Sequence, residues 1–490
     1  MITLQAIRRT LSRVLIVTLH ALLISVTANA NPALQEALDN YQNSRFEIAC
    51  KQFKTLAEMG FSTAQYNLGV MYLKGQAVEK DLAQAYAWIA LAAEQQPSFA
   101  DTASTVLKAL PDTAARGSAQ AAQSSLQQRF AVEAQIDLLL REAPKAEQEQ
   151  KPIELVKTQA PIYPAKALTR YLDGYNMTEF WVFPDGSVRL PSVIYSMPGE
   201  LFDDASLEAI ARFKLEWSDN SVADPRPTVA SQVIDYRLTA KQKSRPNPQI
   251  INHINGIRKR AESGDAYAKY FLAVGHLYLE ISDMDDRQAS ALLLEAALAG
   301  IPEAQHMVGM RLLQDWRTQS NREHGRLWIN MAALGDYPAI SYSVARRGME
   351  SHETFIFDDI SRIDLVKHAA QLGYAPAVIH HSMITTTARN LPDQSQLVQI
   401  RENLQNITGW YRDEPYWHIA AALVAAAEAD FSAATKHANK AIRKAAALDW
   451  ETDDFEQVVA RFEQGERMIL EPENPTTQLA ALLASTPGED

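Results

Sequence analysis

Ala57-Glu58-Met59-Gly60-Phe61-Ser62-Thr63-Ala64-Gln65-Tyr66-Asn67-Leu68-Gly69 carries the signature that decides the fold, Ala-x-x-Gly-x-x-x-Ala. Gly60 can take positive φ and end one helix, so that the next folds back tightly. Ala57 and Ala64 flank the turn and let two backbones approach. Ala64, Leu68, Met71 and Tyr72 recur at one-face helical spacing. Four more copies follow: Ala261-Gly264-Ala268, Ala297-Gly300-Ala304, Ala332-Gly335-Ala339 and Ala370-Gly373-Ala377. Their glycines stand 36, 35 and 38 residues apart. A period in that range marks helical hairpins that bury their apolar faces only by stacking on neighbours.

Around the first copy, helices are expected over Ala33–Tyr41, Phe46–Met59 and Ala83–Glu94. Five residues beyond the second alanine stands a small residue, Gly69, Ala273, Gly309 or Ser382, with Val344 breaking the rule. Bulky Trp88, Leu292, Trp328 and Leu365 precede the closing Ala-Ala pairs by four residues. Helical spacing assigns Trp88, Trp328 and Trp417 to the core rather than to a ligand groove. A last hairpin is expected over Tyr416–Leu448, with a capping helix over Asp454–Met468. These units resemble the Sel-one-like branch of the tetratricopeptide superfamily. Ala64-Gln65-Tyr66-Asn67-Leu68-Gly69 and the Gly75-Gln76-Ala77-Val78 loop with Asp81 carry the match. The resemblance implies an α-solenoid used for protein–protein contact.

Between the arrays the pattern turns to β. Met177–Phe183 and Val188–Tyr195 read as strands around the turn Pro184-Asp185-Gly186-Ser187. Asp203–Phe213 reads as an amphipathic helix and Thr228–Leu238 as a third strand. Polar runs at Arg141–Pro152 and Lys241–Pro248 read as linkers. The insert resembles the C-terminal domain of TonB-type energy transducers through Tyr163-Pro164-x-x-Ala167, Gly174, Phe180, Val182, Asp185-Gly186-x-Val188, Ser196-x-Pro198 and Phe202-x-x-Ala205-x-x-x-Ala209. That family's closing Trp-x-Phe-x-Pro pattern is blurred here to Phe213-Lys214-Leu215-Glu216-Trp217. The resemblance implies capture of a receptor segment by strand addition to an exposed sheet edge. The third strand is the candidate edge, with Val229, Ser231, Val233, Asp235 and Tyr236 as candidate peptide-binding residues. The alternative is that the flanking arrays cover this edge.

The fold class expected is mainly α: tetratricopeptide-like α-solenoid segments flanking a small β-β-α-β domain. The expected organisation is a signal peptide over 1–30, a helical repeat domain over 31–140, a TonB-C-like α+β domain over 152–240, a second repeat domain over 251–470 and a disordered tail over 471–490. Arg8, Arg9 and Arg13, the mostly apolar run Val14–Val26 and Ala28-Asn29-Ala30 read as an export signal. That apolar run is shorter than the roughly 20 residues a spanning helix needs. Cleavage is expected, with a retained anchor as the alternative, placing the chain in the periplasm and leaving it not membrane-spanning.

The 490 residues carry a net charge of −12, which argues against a nucleic-acid partner. The single cysteine, Cys50, excludes an intrachain disulfide and shares a helical face with Phe46 and Phe53, so packing is its expected role. No catalytic, cofactor-binding or metal motif is present. His380-His381 is adjacent rather than at i, i+4. Asp283-x-Asp285-Asp286 lacks the glycine and glutamate of a calcium loop. Asp358-Asp359 suits a helix N-terminus. The function expected is therefore a non-enzymatic adaptor or scaffold without cofactors. Its partners are expected to be proteins or extended peptides, outer-membrane receptors among them. The alternative is an accessory of TonB-dependent transport.

Overall fold

The computed structural model describes residues 31–141, 153–217, 227–238, 248–279, 284–314, 319–347 and 361–469. The expected export signal, both expected linkers, Asp283, Asp358-Asp359 and the expected tail lie wholly or almost wholly outside them. The first helical group comprises α1 (Pro32–Gln42), α2 (Phe46–Glu58), α3 (Ser62–Lys74), α4 (Leu82–Gln95), α5 (Ala100–Ala109), α6 (Thr113–Phe130) and α7 (Val132–Leu139). The insert contains β1 (Ile153–Lys157), α8 (Ala165–Thr169), β2 (Gly174–Val182), β3 (Val188–Met197), α9 (Asp203–Ile210), β4 (Lys214–Trp217) and β5 (Thr228–Tyr236). A second helical group starts with α10 (Pro248–Glu262) and continues as hairpins. These are α11 (Ala266–Leu279) with α12 (Asp286–Leu298), α13 (Pro302–Gln314) with α14 (Gln319–Ala333), and α15 (Pro338–Arg347) with α16 (Arg362–Gln371). Then come α17 (Ala375–Thr387) with α18 (Gln394–Gln405), α19 (Pro415–Ala427) with α20 (Phe431–Ala446), and the closing α21 (Asp453–Glu463).

The repeat signature works through its backbone. At Gly60, Gly264, Gly300 and Gly373 φ is +98°, +97°, +94° and +81°. Each glycine N–H donates to the carbonyl of the signature's first alanine. The next N–H reaches one residue further back, Phe61 to Leu56, Asp265 to Arg260, Ile301 to Ala296 and Tyr374 to Ala369. This is the Schellman closure, which satisfies orphan carbonyls at the helix end. All ten signature alanines are buried, none more than 8% exposed, so a larger side chain has no room there. Gly335 obeys a different constraint. It is not left-handed, but a Cβ on it would lie 2.5 Å from Cγ of Pro302.

A polar clamp, unanticipated from the sequence, accompanies the turn. Gln65 Nε2 donates to Ala57 O (3.1 Å) and Gln305 Nε2 to Ala297 O (3.2 Å), while Ser341 Oγ donates to Ala333 O (2.7 Å). All three side chains are buried, which ties each turn to the following helix. The small residue beyond the second alanine sets the hairpin spacing. A Cβ at Gly69 would sit 2.6 Å from Cγ1 of Ile89, and one at Gly309 would sit 2.7 Å from Cγ1 of Ile329 and 2.8 Å from Gly325 O. Trp88, Trp328 and Trp417 are 4%, 2% and 6% exposed, which puts them in the core as expected.

The two helical groups touch directly rather than being separated by the insert. The rings of Phe61 and Trp328 lie 5.1 Å apart, and Arg311 on α13 donates to Leu139 O at the end of α7 (3.3 Å). One apolar core runs through both groups and the near face of the insert's sheet.

The insert is richer in strands than β-β-α-β. β2, β3 and β5 form an antiparallel sheet in the order β3-β2-β5, and β1 pairs with β4 as a separate antiparallel ribbon. The helix expected to run to Phe213 ends at Ile210, and the chain becomes extended because Leu215 N donates to Gly186 O (2.9 Å) at the hairpin turn. The far sheet face packs on α9 through Phe180, Val182, Ile210, Ile234 and Tyr236.

Two glycine replacements should separate spacing from helix propensity. Gly309→Ala should lower the melting temperature through overpacking, by roughly 1–3 kcal/mol. Gly117→Ala, in α6 with nothing within 4 Å of the new Cβ, should raise stability by about 0.5–1 kcal/mol. Thermal denaturation of both variants checks the opposite signs.

Candidate functional site: the docked sheet and its open edge

The near face of the sheet lies on a row made by the first helices of five successive hairpins. Each contributes a contact. The ring of Tyr278 on α11 stacks on Tyr175, with centroids 4.7 Å apart. His306 Nδ1 on α13 is hydrogen-bonded to the Tyr195 hydroxyl. Tyr374, capping α17, donates to Val193 O (2.8 Å). Tyr416 on α19 meets Arg189 Nη1 (3.5 Å).

The fifth contact, to α15, has the highest electrostatic stake. Glu179 in the middle of β2 is fully buried, and so is Arg346. Glu179 Oε2 accepts from Ser343 Oγ (2.7 Å) and Arg346 Nη2 (3.1 Å), while Oε1 accepts from Arg347 Nε (2.9 Å). Arg346 also donates to Ser192 Oγ (2.6 Å) and Leu190 O (3.3 Å) on β3. Burial pushes the Glu179 carboxyl up, but Arg347, Arg346 and the Ser343 hydroxyl together outweigh it and hold the group below its usual range. Burial pulls His306 down to about 4 against the opposing pull of Glu179, so its imidazole is neutral at pH 7.

The hairpin tip is held in the same way. Arg189 pairs with Asp185 (3.2 Å), both almost fully buried, and lies over the Phe183 ring at 4.1 Å. Asp185 Oδ2 accepts from Glu451 N (3.2 Å) between α20 and α21. Burial raises the Asp185 carboxyl, and Arg189 with the Ser187 hydrogen bonds brings it below its ordinary value.

The two sheet edges differ. Carbonyls of β3 accept from Tyr374 and Arg346, so the helices cover that edge. Among the described residues no strand pairs with the outer side of β5. Of the candidate residues there, Ser231, Val233 and Asp235 are exposed and Val229 is half-buried against the array core. Tyr236 is turned away, 3% exposed, with its hydroxyl 2.7 Å from Ser206 Oγ and its ring against Phe202. Its side chain belongs to the insert's own core.

Beside Val233 opens a cleft of about 570 Å³. Its floor is a cross-strand row, Tyr195–Met177–Val233, given by the two registers of Met177. Its walls come from α11 (Leu277, Tyr278), α13 (Met307, Met310, Arg311) and the end of the first helical group (Leu139, Leu140). The sequence reading missed this cleft and missed Glu179, Arg346 and Arg347. An acid amid the buried run of β2 was the available signal. Among the described residues no group of His, Cys, Asp or Glu is arranged to hold a metal, and no helix is long and apolar enough to cross a membrane. His380 is buried against Tyr342 and His381 is only partly buried. Asp285 caps α12 in a capping box with Gln288. Cys50 is buried in the core, where desolvation raises its thiol pKa.

The Sel1 repeat family matches residues 62–97 and 302–337, and the family described as Gram-negative bacterial TonB protein C-terminal matches residues 159–238. No curated protein matches the chain. Among solved structures, the chain is similar to the TonB C-terminal domain of Pseudomonas aeruginosa at 22% identity, covering 18% of this chain and 90% of that one with a TM-score of 0.17. It is also similar to c5321, a protective antigen of uropathogenic Escherichia coli strains displaying an SLR fold. There the identity is 16%, covering 89% of this chain and 78% of that one, with a TM-score of 0.29.

Glu179→Gln should leave Arg346 buried without its full counter-charge and cost about 3–5 kcal/mol at neutral pH. Because the folded carboxyl lies below its ordinary 4.5, its contribution is present above that pH and is lost as pH falls through the folded value. Denaturant titrations should therefore show the gap between the two proteins narrowing only as pH falls below 4.5. A gap independent of pH would mean that the carboxylate charge is not what holds the sheet.

Sel1 repeats and a TonB C-terminal domain are thus present in this mainly α chain, and both point to protein–protein interaction.

Proposed function

We propose that this protein is an exported, non-enzymatic adaptor of the Gram-negative envelope that captures an extended protein segment along β5. The observation that carries this reading is the asymmetry of the sheet: helices cover the β3 edge, while among the described residues no strand pairs with the outer side of β5. An edge strand offers main-chain donors and acceptors to an added strand, with side-chain pockets supplying selectivity. The basic and apolar start of the chain and its Ala28-Asn29-Ala30 site support export to the periplasm. The match to the TonB C-terminal family favours an outer-membrane receptor as the partner, and so a role as an accessory of TonB-dependent transport. Direct force transmission is not part of the proposal, since the second module is a helical array rather than a long Pro-rich span.

A photoreactive residue at the exposed Ser231 position, introduced in intact cells, tests the reading. Crosslinks to an envelope protein are expected, an outer-membrane receptor if the transport role holds. They should be lost in whichever of Gln232→Pro and Val233→Pro leaves the fold intact, since proline removes a main-chain donor. Crosslinks confined to the chain itself would sink the proposal.

A further inference from the structure

The side-chain pattern of the segment that β5 would accept can be read from the row it would extend. Tyr195, Met177 and Val233 stand opposite one another on three adjacent strands, on one face, and all three line the cleft. A fourth strand on the outer side of β5 would lie about 4.8 Å further on, and its residue opposite Val233 would point to the same face. That position opens into a cavity of about 570 Å³ whose lining mixes Leu277, Met307, Met310 and Leu139 with the polar Arg141, Asp286, His306 and Arg311. Methionine walls adapt to a range of apolar shapes. Val233 is 39% exposed, so an incoming apolar group would cover surface that the chain leaves in water.

The next same-face row carries charge. Asp235 is paired with Tyr175 across the ladder and is exposed, and its carboxylate makes no ion pair or side-chain hydrogen bond among the described residues. The added strand's residue opposite Asp235 is two positions from the one opposite Val233, because side chains repeat with period two. An opposite charge there is favourable and a like charge unfavourable.

We infer that β5 selects an extended peptide with a basic residue two positions from a large apolar one, the apolar side chain entering the cleft and the basic one pairing with Asp235. This rests on the strand-addition reading and adds the sequence preference. The cleft wall contributed by Leu139 and Leu140 also makes the first helical group part of the site.

Fluorescence anisotropy with the full chain and labelled, alternating polar peptides carrying Lys-x-Leu, Glu-x-Leu or Lys-x-Ser tests it. Lys-x-Leu should bind tightest, with Leu-to-Ser costing about tenfold or more and Lys-to-Glu a few-fold. Asp235→Lys, a change at an exposed site, should invert the Lys/Glu preference while retaining the preference for Leu. Met310→Trp, which fills the cleft, should erase the preference for Leu. Equal binding of all three peptides, abolished by the fold-retaining proline variant, would overturn the selectivity and leave strand addition standing. No binding by any of them would remove both.

Discussion

The Glu179 carboxylate is fully buried, so it must be neutralised where it lies. The register and docking position of β2 follow from that constraint. A buried ionised carboxylate without partners costs several kcal/mol, and among the described residues the cations paired with it are Arg346 and Arg347. Arg346 and Arg347 come from α15, more than 160 residues later in the chain. The sheet and the array therefore complete each other. Without the array, β2 would carry an unpaired charge beside the apolar Trp181 and Tyr175. Without the sheet, Arg346 would lose its acceptors Glu179, Ser192 and Leu190. Buried ion pairs add little net stability compared with apolar packing, but they penalise every misplacement. A one-residue slip of β2 would turn Glu179 onto the α9 side, into an apolar layer. The pair thus selects one register and one docking position.

The array can offer such a surface because its repeats are regular. Four Schellman closures give successive hairpins the same reversal, so first helices line up and side chains at comparable places face the same way. Tyr278, His306, Arg346, Tyr374 and Tyr416 come from five successive first helices or their caps, at different places along them, each matched to a different part of the sheet. Gly335 departs from the other copies, whose glycines are required by positive φ. It does without positive φ, yet close approach to Pro302 still excludes a Cβ. Tight stacking rather than turn conformation alone keeps the glycine there.

The signature, the hairpin boundaries and the β character of the insert were legible because they arise from local rules: a glycine that reverses the chain, alanines that permit contact, alternation in strands, and Asp185-Gly186 at a turn. The strands β1 and β4 were not. Each is four or five residues long, and β4 is held extended by a hydrogen bond to Gly186, a partner almost thirty residues away. The direct contact of the two helical groups was hidden for the same reason, since Phe61 and Trp328 each read correctly as core without revealing that they share one. At the candidate site, the position of β5 at an edge could be anticipated, and so could the alternation of its side chains. That alternation already separates Tyr236 from Val233. Which face each residue joins depends on what covers the sheet, and only the tertiary structure supplies that.

The docking also changes what the array is available to do. A solenoid's first-helix row is a natural place to hold a partner, but here that row already holds the insert through buried polar contacts along its length. Its remaining contribution to recognition is to fix β5 and to wall the cleft beside it. Fixing matters energetically, because an edge strand on a mobile domain would have to be ordered on binding, and that cost is subtracted from affinity. β5 is paired along its length with β2, which the helices hold through Tyr175 and Glu179. The same mounting places Leu139 and Leu140, from the beginning of the chain, next to Val233 from the insert and Met310 from the second helical group. A cleft assembled from three separated parts of the sequence exists only when all three are folded together. The recognition proposed at β5 would thereby depend on all three of those parts being folded together, which an independently tethered domain could not achieve.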